Sequence, residues 1–270
     1  MSAVKEKKRK ALEAKRAIRE GRVEQAEDVF RYLMTVAYDG ARYGGYAKQK
    51  HGNTVQNMLE MTLEKYFGTK VKTTEASRTD AKVHALCQKV MFDVGQELSA
   101  RKVLMQLNEL LPRNIVIVDL VAVKLDFHCR YAVINKTYEY VIARNFDVRH
   151  ADYVWYVAHA LDVDKMREAS RPLVGKHDFA AFKSAKATTD GSVRTVYFLE
   201  ILERAGEVVI RINADGFLYN MVRLIVKALV DVGSGVEDVN YVERLLKLKE
   251  KPDNLASAPA QGLTLVEINY

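Results

Sequence analysis

The stretch Ala76 to Ala85 reads Ala-Ser-Arg-Thr-Asp-Ala-Lys-Val-His-Ala, and strand-like runs lie on both sides of it. An apolar run with helical spacing, Thr54 to Phe67, and a strand-like run, Val71 to Thr74, precede it. A second strand-like run, Lys89 to Val94, follows it. The pattern predicts a short connection between two strands, where loops present reactive side chains on a rigid scaffold.

Within this connection Asp80 is the candidate reactive residue, and Arg78 stands two positions before it. A neighbouring cation typically lowers the pKa of an aspartate by about 1–3 units and so favours the ionised form. An ionised carboxylate is suited to act as a nucleophile rather than as a proton donor. On spacing alone, a turn aspartate beside a solvated arginine is the simpler interpretation, because short motifs often occur without function.

The composition describes a globular protein without a membrane segment or a metal site. The 270 residues are 49% hydrophobic and 29% charged, and no run of about 18 apolar residues occurs. The N-terminus resembles neither a signal peptide nor a transit peptide. Cys87 and Cys129 predict no disulfide framework, and the histidines show no zinc-type spacing with them. We expect no metal and a reducing compartment, the cytoplasm, with an organelle as the alternative.

The charge favours a polyanionic partner. The formal net charge is +7 and the pI is about 9.2, values that suit binding to nucleic acid. Much of the surplus lies in residues 1–28, which the spacing predicts to be a basic helical arm. A solvated tail that aids solubility explains this arm as well as an RNA contact does.

The rest of the chain predicts an α+β fold in two halves, residues 29–146 and 147–270, which meet in the turn-like stretch Asn145 to Ala151. The first half also contains predicted strands over 31–38, 115–125 and 136–143, and a helix that Ser99 caps. In the second half we predict strands over 153–157, 193–202, 207–213 and 263–270, and helices over 164–173, 217–232 and 237–249.

Three further features have both an ordinary and a functional explanation. Tyr46 and Lys48 lie in a glycine-containing loop of aromatic and basic residues, a composition found on surfaces that stack bases and bind phosphate. Tyr138 and Tyr140 share one face of a predicted strand, where core packing is the commoner role. Arg223 lies on a predicted helix, where a surface arginine is the ordinary expectation. Taken singly, each feature favours its ordinary explanation.

Taken together and in this order, the segments resemble the TruA family of tRNA pseudouridine synthases. The resemblance extends from Tyr32 to Tyr270 and leaves out only the basic arm. The matching segments are Tyr38-Asp39-Gly40, Thr54-Val55-Gln56, Ser77-Arg78-Thr79-Asp80-Ala81, Val83-His84-Ala85, Phe127-His128-Cys129-Arg130, Tyr138-Glu139-Tyr140, His177-Asp178-Phe179, Met221-Val222-Arg223 and Ala258-Pro259-Ala260-Gln261-Gly262-Leu263.

This resemblance implies a pseudouridine synthase fold. Two α/β halves join their antiparallel sheets into one extended sheet, and the active-site cleft lies between them. The implied reaction is the isomerisation of uridine to pseudouridine in tRNA, without a metal or an organic cofactor. The resemblance also implies a homodimer, because family members hold RNA across both subunits.

The resemblance also assigns roles by position. Asp80 corresponds to the catalytic aspartate and Tyr138 to the tyrosine that stacks on a flipped-out uracil. Arg223 corresponds to the basic residue that pairs with the aspartate. Arg78 corresponds to the arginine that fills the vacated space in the RNA stack, and Leu263 to an apolar pocket wall. Flipping a base costs a few kcal/mol, and stacking it on an aromatic ring returns about 1–3 kcal/mol.

Further RNA contacts are expected from Lys82, His84, Tyr46 and Lys48. The chain departs from the common family loop, Gly-Arg-Thr-Asp-Ala-Gly-Val-His-Ala, because Ser77 and Lys82 replace its two glycines. Glycine permits a positive φ or a close backbone approach more readily than serine or lysine. A third departure is an alanine, Ala47, where the family commonly has glutamine after an aromatic residue.

These observations favour a tRNA pseudouridine synthase that acts on the anticodon stem-loop region. Lys82, Ala47 and the basic arm motivate an alternative, the same chemistry on ribosomal RNA. The altered glycine pair motivates another, an inactive RNA-binding or ribosome-assembly factor that keeps the fold.

Overall fold

A ten-stranded sheet runs through the computed structural model, which describes residues 28–49, 52–184 and 191–270. The strands are β1 Phe30–Tyr38, β2 Thr73–Glu75, β3 His84–Val94, β4 Ile115–Val123, β5 Asn135–Ala143, β6 Trp155–Tyr156, β7 Gly175–Asp178, β8 Val193–Arg204, β9 Glu207–Ala214 and β10 Leu263–Asn269. The helices are α1 Val55–Phe67, α2 Ala100–Leu110, α3 Val163–Ser170, α4 Met221–Gly233 and α5 Tyr241–Leu246.

The strand order is β4-β1-β3-β10-β5-β9-β8-β7, with β2 paired to β3 and β6 paired to β5. The pairs β10–β3 and β5–β6 are parallel, and the other pairs are antiparallel. The prediction of one extended, mostly antiparallel sheet in an α+β fold is therefore confirmed. β10 joins the two groups of strands, because it lies between β3 and β5.

The apolar spacing of the helices explains which surfaces they bury. In α1, a stripe of Val55, Leu59 and Leu63 is buried, and the Thr54 hydroxyl accepts a hydrogen bond from the backbone of the third residue of the helix, as an N-cap does. The helix α4 is apolar on nearly every side and packs against α3 and α5. A helix with this composition is expected to be buried on most of its surface.

The structure corrects several predicted boundaries. The strand predicted to begin at Lys89 begins at His84, as β3. The helix predicted over 217–232 begins only at Met221, because Asn220 takes a left-handed conformation with φ 65° that interrupts helical geometry. The helix predicted over 237–249 is limited to α5, and the strand predicted over 153–157 to the two residues of β6. The predicted hairpin at Ala205-Gly206 is confirmed, and both turn residues have positive φ.

The arm predicted over 1–28 lies outside the described residues except for Asp28, as do residues 185–190 of a basic loop. The division at residue 146 stays a prediction, although β5, which precedes it, lies in the sheet beside β9. Within the described part of the chain, no helix is long and apolar enough to cross a membrane. The same residues contain no cluster of three or more His, Cys, Asp or Glu that could hold a metal ion.

Candidate active site

The connection between β2 and β3 is fixed by a network of hydrogen bonds. The buried Gln88 side chain accepts from the backbone N–H of Ser77 at 3.2 Å and donates to the Ser77 carbonyl at 2.6 Å. The Thr79 carbonyl accepts from the backbone N–H of Tyr46 at 3.1 Å, and the Thr79 and Tyr38 hydroxyls are 2.7 Å apart. Buried, satisfied polar groups of this kind hold a segment in one conformation.

Two features of the loop backbone reflect close approach. A Cβ atom added to Gly45, which has φ 107°, would lie 2.9 Å from the Thr79 carbonyl oxygen, so the loop packs directly on a glycine. Lys82 has φ 65°, the left-handed region that costs a non-glycine residue roughly 1–2 kcal/mol. Ser77, at the other family glycine, keeps a negative φ. Of the two glycine positions, only that of Lys82 requires a left-handed backbone.

Asp80 faces Arg223, which α4 supplies in its first turn. One guanidinium nitrogen of Arg223 lies 3.7 Å from a carboxylate oxygen of Asp80, an ion-pair distance beyond ordinary hydrogen-bond length. The same guanidinium donates to the Ala258 carbonyl at 2.7 Å, to Asn220 Oδ1 at 3.0 Å and to Ser257 Oγ at 3.2 Å. These three bonds hold the arginine head in place independently of Asp80.

Burial raises the pKa of Asp80 above its ordinary value, and the positive charge of Arg223 offsets part of that rise. The structure therefore corrects the expectation of a lowered pKa, because desolvation outweighs the neighbouring cation. The cation beside Asp80 is also Arg223 rather than Arg78.

Arg78 instead pairs with the buried carboxylate of Glu75. Arg78 Nε lies 3.1 Å from Glu75 Oε1, and Arg130 Nη2 lies 2.6 Å from the same oxygen. The Arg78 side chain is 71% exposed, so its charged head remains accessible to a polyanion. The Glu75 side chain is only 5% exposed, which makes it a fixed anchor for both arginines.

Asp80 and its neighbours line a cavity of about 690 Å³, a size common for ligand sites. Five residues predicted from the sequence meet in this cavity: Arg78, Asp80, Tyr138, Arg223 and Leu263. They come from the β2–β3 connection, from β5, from α4 and from the start of β10, so the cavity forms where both halves of the sheet meet.

Tyr138 forms an aromatic wall of the cavity. Its ring meets Phe217 edge to face, with centroids 5.2 Å apart, and its hydroxyl lies 3.1 Å from Ser77 Oγ. Burial raises the pKa of Tyr138 to about 12, so the phenol stays protonated at neutral pH. Tyr140, on the same strand face, is fully buried and donates to the Pro259 carbonyl at 2.7 Å, which is a core role.

Sequence reasoning missed three residues that line the cavity: Arg130, Lys136 and Phe217. Lys136 donates to the Ala76 carbonyl at 2.9 Å, and burial, with Arg130 close by, lowers its pKa to about 8. Its position two residues before Tyr138 on one strand was the available signal, because alternate residues share a face. Phe217 had no such signal, since the residues before Met221 were predicted to be helical.

Two predicted RNA contacts are buried instead. Tyr46 is fully buried and packs on Tyr38 with ring centroids 6.1 Å apart. His84 is 5% exposed; its Nδ1 accepts from the Gly40 backbone at 3.1 Å, and its Nε2 lies 3.0 Å from the Asp152 carbonyl. A buried ring offers no surface for stacking, so both residues support the loops around the cavity.

The two predicted lysine contacts lie outside the cavity lining. Lys48 pairs with Glu60 at 3.0 Å, and its side chain is 56% exposed. Lys82 is exposed on the β2–β3 connection, two residues after Asp80. Both amines are accessible to phosphate groups, whereas neither reaches into the cavity itself.

The fold and the cavity define the class of the protein. A partly buried carboxylate faces a fixed arginine, an aromatic wall stands beside them, and Arg78, Arg130 and Lys136 add positive charge to the lining. These features suit an enzyme that acts on one nucleotide of a polyanion.

Comparison with known proteins identifies the family. A family model described as tRNA pseudouridine synthase matches residues 5–132 and 169–270, so the match begins earlier than the motif-based resemblance at Tyr32. "tRNA pseudouridine synthase A" of Thermoanaerobacter sp. is 39% identical over 240 residues, 88% of this chain and 98% of that one. The protein of the same name from Exiguobacterium sp. is 37% identical over 89% of this chain and 98% of its own.

"tRNA pseudouridine synthase A 2" of Bacillus cereus is 39% identical over 245 residues, 88% of this chain and 99% of its own. The chain therefore belongs to the tRNA pseudouridine synthase family, and it is an isomerase of that family. A solved structure, the crystal structure of a Cbf5-Nop10-Gar1 complex, aligns with a TM-score of 0.40 and 12% identity over 87% of this chain and 48% of that one, a similarity too low to support a functional comparison.

Proposed function

We propose that this protein converts a uridine in the anticodon stem-loop region of tRNA to pseudouridine, with Asp80 as the nucleophile. The observation that carries the proposal is the placement of Asp80, Arg223 and Tyr138 around one cavity. The names of the relatives support tRNA as the substrate. The resemblance to the TruA family motivates the anticodon region.

In the proposed reaction a carboxylate oxygen of Asp80 attacks the target nucleotide, and the glycosidic bond between N1 of uracil and C1′ of ribose breaks. The detached uracil turns within the cavity, and its C5 then bonds to C1′. The bond that Asp80 formed with the nucleotide then breaks, which restores the carboxylate. A proton leaves C5 and N1 gains one, so atoms and electrons balance. The walls of the cavity must retain the base, because the free base must not escape between the two bond changes.

Arg223 would keep Asp80 competent for this attack. Burial favours the protonated carboxyl, which is a poor nucleophile, whereas a guanidinium 3.7 Å away favours the ionised form. Because Ala258, Asn220 and Ser257 already orient the arginine, little reorganisation is needed when substrate binds.

Tyr138 would stack on the flipped-out uracil, and Phe217 and Leu263 would close the apolar side of the cavity. Arg78 would leave Glu75 and occupy the space that the uridine vacates. Stacking on an aromatic side chain contributes about 1–3 kcal/mol per base, which offsets much of the cost of flipping.

We further propose a cytoplasmic homodimer in which each chain contributes two halves. Residues 29–146 would supply Asp80 and Tyr138, and residues 147–270 would supply Arg223 and Leu263. The edge strand β4 exposes Val116, Val118 and Val121 by 42–57%, and a row of apolar side chains on a sheet edge supports association with a second copy.

The direct test measures release of tritium from tRNA labelled at C5 of uridine, because the reaction expels the C5 proton. The variant Asp80→Asn should bind tRNA with nearly the affinity of the unaltered protein and release no tritium. Asp126→Asn, an exposed aspartate outside the cavity lining, is the matched control and should remain fully active. Full activity of Asp80→Asn would refute the assignment.

Pseudouridine mapping in cells that lack the protein separates the substrates. Loss of pseudouridine in the anticodon stem-loop of tRNA supports the proposal. Loss of pseudouridine confined to ribosomal RNA would show that the protein carries out the same reaction on that substrate. No loss of pseudouridine from any RNA would favour a binding factor without catalytic activity.

A further inference from the structure

Ser77 occupies a position where the family loop commonly has glycine, yet its backbone has no need of one. Its φ is negative, and the side chain is enclosed, since the residue is only 8% exposed. The hydroxyl therefore occupies space that a glycine would leave empty. What this hydroxyl touches decides whether the substitution matters for the reaction.

The Ser77 hydroxyl meets the phenol of Tyr138 at 3.1 Å. Both backbone groups of Ser77 are held by the Gln88 amide, at 3.2 Å and 2.6 Å, and Gln88 itself is fully buried on β3. The hydroxyl is thus attached to a backbone that cannot shift easily. Within the described part of the chain, the Tyr138 hydroxyl has one hydrogen-bond partner, Ser77.

We propose that Ser77 is a positioning residue that fixes the Tyr138 ring relative to Asp80. Ser77 stands three positions before Asp80 in one loop, so a bond from its side chain to Tyr138 ties the stacking ring to the segment that carries the nucleophile. This inference rests on the proposed function, because it assigns Ser77 a part in the same reaction.

The contacts of Tyr138 explain why the bond is needed. Phe217 meets the ring edge to face, and Tyr138 is only 5% exposed, so packing prevents large movements of the ring. The bond from Ser77 would fix the remaining small tilt of the ring, and with it the tilt of the stacked uracil. Misplacement of a reacting group by a fraction of an ångström to an ångström lowers the rate of a chemical step strongly. We therefore expect loss of the Ser77 hydroxyl to lower kcat rather than to raise KM.

The test compares Ser77→Ala and Ser77→Gly with the unaltered protein in steady-state and single-turnover assays on tRNA. Each variant should lower kcat about 3- to 10-fold, the range that one net hydrogen bond supports, and change KM less than about twofold. Ser170→Ala is the matched control, because Ser170 is also buried and donates to the Arg167 carbonyl at 2.8 Å, outside the cavity lining. It should leave both constants unchanged even if it lowers stability.

A double-mutant cycle with Tyr138→Phe distinguishes positioning through the phenol from a general effect on the loop. Adding Ser77→Ala to Tyr138→Phe should change the single-turnover rate less than about 1.5-fold, because the bond is already lost. If Tyr138→Phe turns over too slowly, the cycle is measured on urea unfolding free energies, where the two changes should again be non-additive.

Unaltered kcat in Ser77→Ala, or additive effects in the cycle, would overturn the role of Ser77 and leave the proposed function standing. Absence of pseudouridine formation by the unaltered protein would instead count against the proposed function itself.

Discussion

The guanidinium of Arg223 lies 3.7 Å from the carboxylate of Asp80, although the two residues are far apart in sequence. Arg223 donates to three acceptors other than Asp80. Asp80 lies on a loop that Gln88 anchors through a hydrogen bond to the Ser77 carbonyl. The fold therefore orients both side chains of the ion pair, and a substitution of either residue can test its role.

Replacing Arg223 by alanine should lower kcat/KM about 100-fold, roughly 3 kcal/mol, because a buried carboxylate loses its counter-charge. Lysine at this position should lose less, since it keeps the charge but not the planar set of donors. Single-turnover kinetics measure both effects. Lys227→Ala, one turn later on α4 and paired with Asp231, is the control, and a loss as large in that variant would show that the helix rather than the ion pair matters.

The pH dependence follows from the raised pKa of Asp80. The attacking form is the ionised one, so the single-turnover rate should fall as pH drops through a value above that of an ordinary aspartate. In Arg223→Ala the lowering effect of the guanidinium is lost, and the acid limb should move to higher pH. Rate–pH profiles of the two proteins check this, and an unmoved limb would mean that another group sets it.

The same shift has a consequence for stability. Folding raises the pKa of Asp80, so ionisation of this carboxyl is less favourable in the folded chain than in the unfolded chain. The ionised Asp80 therefore destabilises the fold at pH values above its folded-state pKa. This effect is absent at pH values below its unfolded-state pKa. Asp80→Asn should therefore raise the free energy of unfolding at neutral pH and lose this advantage in acid. Urea titrations at several pH values measure it; equal stability at all pH values would contradict the raised pKa.

Lys82→Gly should stabilise the fold and weaken RNA binding together. A left-handed residue other than glycine costs about 1–2 kcal/mol, which glycine avoids. Glycine loses more chain entropy on folding, at a cost of about 0.5–1 kcal/mol, so the net gain is about 0–1.5 kcal/mol. If Lys82 contacts one phosphate, the slope of log Kd against log salt should lose about 0.7–0.9.

Ala205→Gly is the matched control for Lys82→Gly, because Ala205 also has a positive φ, of 40°, but lies in the β8–β9 hairpin. It should gain stability and leave RNA binding unchanged. An unchanged affinity and slope in Lys82→Gly would remove Lys82 from the RNA contacts.

Phe217→Ala should lower kcat/KM about 10-fold, since the edge contact with Tyr138 contributes about 0.5–1.5 kcal/mol and the cavity also loses part of its apolar wall. Steady-state kinetics on tRNA measure the loss. Phe198→Ala changes a partly buried phenylalanine of β8 that lies outside the cavity lining, and its activity should stay within about twofold of the unaltered protein. Equal losses in the two variants would exclude a specific role for the Phe217 ring.

Local patterns predicted the elements around Asp80 well. The period of α1, its Thr54 cap, and the strands on both sides of the loop depend on neighbouring residues, which the sequence displays directly. The contacts that form the site, in contrast, join residues that are far apart in sequence. Arg223 lies in the first turn of α4, which starts after a left-handed Asn220, and no periodicity reports a single backbone angle.

Local sequence patterns also failed to predict which side chains are buried. Tyr46 and His84 looked like surface residues because both lie in segments that read as polar loops. The loop of Tyr46 packs on the β2–β3 connection, whereas His84 is the first residue of β3, where Gly40 and Asp152 contact its ring. A composition typical of loops indicates how a segment bends, whereas its neighbours in space decide which side chains face water. The raised pKa of Asp80 has the same origin, since it depends on enclosure and not on the cation nearest in sequence.

The position of β10 between β3 and β5 bears on how the enzyme acquires its site during folding. β10 follows every other described element along the chain, so its pairings with β3 and β5 join segments that are far apart in sequence, and such non-local pairing is slow. Pulse-labelling hydrogen exchange should find the amides of these two pairings protected last. Until then both strands present open edges to other chains, and a nascent molecule is prone to self-association before it is competent for catalysis.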